Sequence, residues 1–312
     1  MTSNILIIVA PIFGTIAIGY IACFPGLIGQ RSGDALADYV FALAVPALIF
    51  RTLSESSAPL TSSPWGYWVA YFTGAGLVWI LGMVLAVRVF GRSRREAVVH
   101  GFSSAQSNTV FIGIPLILRA YGEAGAVPLF LLLAVHLPIM MSAASILIES
   151  TEDLDRAARL RRFARTLLTH PILLALLFGL LAQAFDFKLT GVPGDILHSL
   201  AVSASPVALV AMGMALARYG FRSDPSAAAV VATLKLVVHP ALVYVLGVHV
   251  LHLEPVFAGV AVLFAALPSG INGYLLAARY GTGEKLASTA IAYSTAASVA
   301  TIGVWLAILG VG

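Results

Sequence analysis

Charged residues and clusters of glycine and proline divide the chain into ten apolar runs, at residues 4–24, 34–53, 65–88, 97–119, 124–148, 170–187, 194–217, 226–250, 255–280 and 286–310. About 20 mostly apolar residues suffice to cross a bilayer as a helix. In hydrocarbon, every backbone N–H and C=O must find its partner within protein. Runs of this length and number therefore specify an all-α polytopic membrane protein with ten transmembrane helices. Composition closes the main alternative. Hydrophobic residues make up 60% of the 312 and charged residues 10%, whereas a water-facing surface needs about a quarter of its chain charged. An ordinary soluble enzyme is excluded, and the connections are too short to hold a separate soluble domain. The first run lacks a basic leading segment and a small-residue cleavage site, so it reads as a retained span.

The net charge of +4 comes from 18 basic and 14 acidic residues. Assigned to alternate connections, the basic residues fall almost entirely on one side. That side holds Arg31, Arg88, Arg92, Arg94, Arg95, the arginines between 156 and 165, Arg218, Arg222, Arg279 and Lys285. Arg51, Arg119 and Lys188 fall on the other. The Arg-rich side is expected to be cytoplasmic, with both termini outside, in an inner or plasma membrane. The excess charge is thus a topology signal and implies no nucleic-acid partner. The single cysteine, Cys23, has no partner for an internal disulfide.

Residues 149–169 separate a first group of five spans, 1–148, from a second, 170–312. Within this linker Leu160, Phe163, Ala164 and Leu167 stand at helical spacing. An amphipathic helix on the inner leaflet and a plain solvated linker both fit that spacing. The halves resemble each other: Pro46 in the second span answers Pro206 in the seventh, and Arg119-Ala120-Tyr121-Gly122 answers Ala278-Arg279-Tyr280-Gly281. Five spans per half make the second copy enter from the opposite side. The repeats are therefore inverted, as in many secondary transporters.

Two spans break the rule of uniform apolarity. The fourth carries Ser103, Ser104, Gln106, Ser107, Asn108 and Thr109, followed by Gly113 and Pro115. The ninth carries Pro268, Ser269, Gly270, Asn272 and Gly273. Proline interrupts the backbone ladder, and the freed groups are tolerated only against protein or a water-filled cavity. Both helices are expected to be discontinuous at mid-membrane. Half-helix N-termini offer N–H groups and partial positive charge, which suit a carboxylate. Asn108 and Asn272 add amide donors, with Ser107, Thr109 and Ser269 beside them. The alternative is that these residues only satisfy one another as polar glue at a packed crossing.

Lys235 lies deep in the eighth span, with His239-Pro240 one turn on. Intramembrane charge is costly and points to function. A deep fixed cation favours an anionic substrate; an ammonium that only caps carbonyls exposed by a helix break is the competing reading. His136 is expected to bond a carbonyl freed by Pro138. His100, His170 and His198 are expected at the interfaces. His249 and His252, spaced i, i+3 near Glu254, fall short of a metal site, and no metal or cofactor is expected.

Four stretches carry a family resemblance: Ala44-Val45-Pro46-Ala47-Leu48, Ser107-Asn108-Thr109-Val110-Phe111-Ile112-Gly113-Ile114-Pro115-Leu116, Lys235-Leu236-Val237-Val238-His239-Pro240, and Ala266-Leu267-Pro268-Ser269-Gly270-Ile271-Asn272. Together they resemble the auxin efflux carrier family, which includes the plant PIN exporters and bacterial malonate or auxin-like carriers. The resemblance implies ten spans in a scaffold and a transporter domain, each mixing helices from both repeats. It implies a crossover at the broken helices, with Pro115 and Pro268 as its prolines and Asn108 on the substrate carboxylate. It also implies a homodimer through the scaffold half. Asn272 has no counterpart in the plant members, and Asp38 stands where relatives often carry a basic or neutral residue. The long regulatory loop of the plant members is here about twenty residues.

The expected function is a carrier of small organic anions, auxin-like monocarboxylates or malonate-like dicarboxylates, by alternating access. Coupling is open between a sodium site along Gln106 to Thr109, a proton site at Lys235, His239 or Asp38, and uniport. Other classes are a passive channel or receptor, or a membrane-embedded enzyme with Ser269 as its nucleophile.

Overall fold

A computed structural model describes residues 2–24, 27–29, 32–56, 64–149, 169–219 and 224–311. The proposed linker helix over Leu160 to Leu167 lies outside the described residues. The described residues contain no strand and form twelve helices. In order they are α1 (Thr2–Ala22), α2 (Ser32–Glu55), α3 (Trp65–Arg88), α4 (Arg94–Ala105), α5 (Ile114–Tyr121), α6 (Ala126–Glu149), α7 (Pro171–Ala184), α8 (Gly191–Tyr219), α9 (Pro225–Val250), α10 (Pro255–Ala266), α11 (Asn272–Tyr280) and α12 (Glu284–Ile308). Among the described residues seven helical stretches are long and apolar enough to cross a membrane, and α7 and α10 are shorter apolar helices. The chain is a multi-pass helical membrane protein.

Prolines shape these helices in a regular way. Three wide, π-type turns, Val40–Ala44, Thr109–Gly113 and Leu234–Val238, each end two residues before a proline: Pro46, Pro115 and Pro240. A helix proline has no N–H for the carbonyl four residues back and its ring pushes that carbonyl aside. The wide turn absorbs the displacement, so Pro115 sits inside helix rather than at the break expected there. Pro206 likewise lies within the unbroken α8.

The freed carbonyls are taken by side chains. Four residues before Pro240, Leu236 O accepts Trp305 Nε1–H at 2.9 Å. Four before Pro11, Ile7 O accepts Arg119 Nε–H at 3.0 Å. Four before Pro268, Phe264 O accepts the Ser107 hydroxyl at 2.7 Å. At Leu236 and Phe264, where the bonds are buried, each spares the carbonyl about 1–3 kcal/mol of desolvation.

The heaviest packing falls in two sets of helices, between which α12 packs on α1 and α8. Helix α1 lies along α8, and α2 packs on α7 and α8. The α1–α8 crossing is close enough that a Cβ on Gly213 would stand 2.6 Å from Tyr20 N. In the second group α3 packs on α4, α9 on α10 and α12, and α10 on α6. Arg92 pairs with Asp224, and Arg218 with Asp34 at 2.9 Å. These pairs tie connections expected on the Arg-rich side to one another.

Candidate functional site

The fourth and ninth apolar runs are both interrupted, and the interruptions meet. Helix α4 stops at Ala105, and helical structure resumes at Thr109; α10 stops at Ala266, and α11 begins at Asn272. Between them, Ser107 and Ser269 form an isolated antiparallel bridge. Asn108 N–H donates to Pro268 O at 2.9 Å, and Gly270 N–H donates to Gln106 O at 3.2 Å. Two extended segments that would be costly in lipid thus satisfy each other.

Side chains complete the junction. The Ser269 hydroxyl donates to Ser103 O at 2.7 Å, and Ser269 N–H donates to Ser294 Oγ at 3.0 Å. Gln106 donates through Nε2 to Ser107 O at 2.8 Å. The fit leaves no room at two glycines. A Cβ on Gly113 would stand 2.7 Å from Leu267 Cδ1, and one on Gly270 2.7 Å from Gln106 Nε2.

Behind the junction lies a buried polar layer. Tyr71 shares the Ser107 hydroxyl at 3.2 Å and meets the rings of His136 and His239. His136 Nε2 accepts Ser107 N–H at 3.4 Å. The expectation of a freed carbonyl partner is corrected, because the break at Gln106–Asn108 leaves an N–H without a helical acceptor. Lys235, fully buried, donates to Ala265 O and approaches His239 Nδ1 at 3.3 Å. Its ammonium therefore stands at the C-terminal end of α10, where carbonyls are unpaired and a cation complements the helix dipole. That is the geometry of the capping reading for Lys235.

In front of the junction is a cavity of about 420 Å³. One wall is formed by Asn108, Thr109, Val110, Phe111, Gly270, Ile271 and Asn272, the starts of two helical segments. The lining also includes Asp34, Asp38 and Phe41 of α2, His170 and Ile172, and Met214 and Arg218 of α8. Asn108 Nδ2 reaches Met212 Sδ at 3.0 Å across the two helix groups. A thioether is a weak acceptor, so this amide is held in place without being committed to a strong partner.

Residues 4–306 match the family described as membrane transport protein. The chain belongs to this family, that of the auxin efflux carriers. A relative from Rhizobium meliloti (strain 1021), named "Putative malonate transporter", is 30% identical over 95% of this chain and 92% of its own. Proteins named as uncharacterized transporters from Methanothermobacter thermautotrophicus and Methanocaldococcus jannaschii are 23% and 22% identical, over 94% and 93% of this chain and 95% and 94% of theirs.

In this family member, the residues expected at the site divide into three. Asn108, Thr109, Gly270, Asn272 and Asp38 line the cavity. Ser107, Ser269, Gln106 and Pro268 build the junction. Lys235, His239, Gly113 and Pro115 support it from behind or within the helix, and Pro46 lies in α2. His100, expected at an interface, is fully buried beside the ring of Phe90. The capping box of Ser93 and Glu96 starts α4 seven residues earlier than His100, which carries it inside. Arg218 and His170 were not foreseen as lining residues. In sequence Arg218 is only a charge at a span end; its pairing with Asp34 depends on the packing of α2 against α8.

Proposed function

We propose that the chain is a secondary carrier of small organic carboxylates, monocarboxylates or short dicarboxylates, working by alternating access. The observation that carries this reading is the cavity wall made of two helix starts and the Asn108 amide. The first N–H groups of a helical segment have no intrahelical acceptor; at α11 those of Gly273, Tyr274 and Leu275 already donate to the Gly270 and Ile271 carbonyls, so the segment that starts at Thr109 carries most of the offer. Such N–H groups carry partial positive charge that favours an anion. The malonate name of the 30% relative supports the same substrate class.

On this reading the chain is a ten-helix inverted repeat. Helices α1, α2, α7 and α8 form a scaffold; α3–α6 and α9–α12 form a mobile domain that carries the junction. The substrate binds where the two groups face each other, so sliding one against the other exposes it to the opposite side. The gathered arginines mark the cytoplasmic end of an inner or plasma membrane, with the termini outside. Because Arg218 and Asp34 lie at that end, the present arrangement faces the cytoplasm.

The test is a thermal-shift screen of the purified chain against mono- and dicarboxylates, followed by proteoliposome uptake of any ligand found. A carboxylate that binds the folded state raises its apparent stability, and a carrier shows saturable counterflow. No stabilisation by any carboxylate, or flux without saturation as in a channel, would overturn the proposal. Imposing sodium and pH gradients separately distinguishes the coupled forms from uniport.

A further inference from the structure

We infer that Arg119 is a latch on the outer side: by holding the Ile7 carbonyl of α1, it fastens the mobile group to the scaffold while the cavity faces the cytoplasm. This rests on the two-group reading of alternating access above and adds the contact that must break for the carrier to turn.

The helical stretch from Thr109 to Tyr121 runs from the junction to the end of the fourth span. It meets the scaffold helices at its start, in its first turn and at its far end. At the start, Asn108 Nδ2 reaches Met212 Sδ of α8 at 3.0 Å. In the first turn, the ring of Phe111 meets that of Phe41 in α2 edge to face, with centroids 5.4 Å apart. At the far end, where α5 packs on α1, Arg119 Nε–H donates to Ile7 O at 3.0 Å. At 1.5 Å per residue, about 16 Å of helix separates Asn108 from Arg119, so the cavity and the latch are the two ends of one rigid element.

These contacts differ in how they release. A thioether is a weak acceptor, and a carboxylate entering the cavity takes the Asn108 amide in its place. The ring contact is apolar and commits no hydrogen bond. The bond at Ile7 is unaffected by anything in the cavity. Pro11 offers no N–H to the carbonyl four residues back, so Ile7 O has no helical partner and turns to the guanidinium instead. Ile7 is 59% exposed, and water can replace the arginine once the groups part, which makes the bond a bias and not a permanent clasp. The ion pairs Arg218–Asp34 and Arg92–Asp224 play no such part. Each joins elements of one group, α8 with α2 and the entry to α4 with that to α9, and travels with it.

A contact made in one of two states and lost in the other sets their ratio by its own free energy. Removing this one is expected to raise the outward-facing fraction about three- to tenfold, the range of a charged hydrogen bond discounted for exposure.

The experiment is cysteine labelling of the full chain in lipid nanodiscs with a water-soluble maleimide. Cys23 is replaced by serine, and one thiol is introduced at a time, Ile8→Cys next to Ile7 or Leu116→Cys one turn before Arg119. Ile8 is 8% exposed and Leu116 0%, so the rates report how often the α1–α5 seam opens. In the Arg119→Met chain both thiols should label about three- to tenfold faster, with little change in unfolding temperature. Arg119→Lys, which keeps a cationic donor, should accelerate them less. Labelling that Arg119→Met leaves unchanged would refute the latch. Acceleration at Ile8→Cys alone would refute it too, as fraying of α1, and equal acceleration in Arg119→Lys would show that the donor is not what holds the seam. No labelling of either thiol in any chain short of unfolding would instead mean that the outer side does not open, and would remove the alternating-access reading itself.

Discussion

Replacing Gly270 by alanine tests the junction at its tightest point. The new Cβ would lie 2.7 Å from Gln106 Nε2 and 2.8 Å from Cδ, with Oε1 nearer still, where ordinary contacts begin at 3.4 Å. The amide must retreat by at least about 0.7 Å, and Gln106 is 1% exposed and tied to Ser107 O. Retreat therefore strains the bridge of Ser107 with Ser269 or breaks the Nε2 bond. Overpacking of this kind costs about 1–3 kcal/mol. Shortening Gln106 to alanine opens the space, so the cost of Gly270→Ala should largely disappear in a Gln106→Ala background. Thermal unfolding of the four proteins in one detergent gives the coupling. Equal destabilisation by Gly270→Ala in both backgrounds would refute the claim that Gln106 fills the place of the missing side chain.

Three further outcomes follow from the same contacts. Ser107→Ala leaves Phe264 O unpaired beside Pro268 and should cost about 1–3 kcal/mol, read as a lower unfolding temperature. Lys235→Met should destabilise by a similar amount through the orphaned Ala265 carbonyl. It should leave carboxylate affinity within about threefold, since Lys235 does not line the cavity; a much larger loss of affinity would restore it as a substrate residue. Asp224, at the start of α9, has its carboxyl held below the ordinary range. Burial pushes it up, but the Ala227 N–H, the Ser226 hydroxyl and the Arg92 guanidinium pull it further down. A depressed carboxylate contributes stability that is present above its unfolded value, about 3.9, and is lost as pH falls through the folded one. Asp224→Asn should therefore lower stability at pH 7 and flatten its fall below about pH 4, seen in unfolding temperature against pH.

Much of this architecture is legible in the sequence. Span ends follow hydropathy closely: residues 65–88 form α3 as Trp65–Arg88, and 226–250 form α9 as Pro225–Val250. Hydrocarbon admits few alternatives to a helix, so apolar length alone decides these elements. The paired breaks were readable because polar and proline residues are costly in that setting. Their registers were less so. Pro115 marks a wide turn rather than the break, because local 3₁₀ and π adjustments let a helix keep a proline, and the true interruption is set by pairing with a segment some 160 residues away. Lys235 was visible as an intramembrane cation, but its direction depended on where α10 ends. The rest of the cavity lining was hidden for the same reason: Asp34, His170 and Arg218 look like loop-end charges until α2, α7 and α8 are packed together.

The most direct measurement of the central claim is the affinity of a carboxylate for wild-type and Asn108→Ala protein, by calorimetry under matched pH and salt. A charge-assisted hydrogen bond contributes about 1.5–3 kcal/mol. Loss of the Asn108 amide should therefore weaken binding by about 10- to 150-fold while the unfolding temperature of the ligand-free protein changes little, because Asn108 Nδ2 gives up only the Met212 sulfur. Affinity unchanged in Asn108→Ala, with the wild-type protein binding the same carboxylate, would contradict the account.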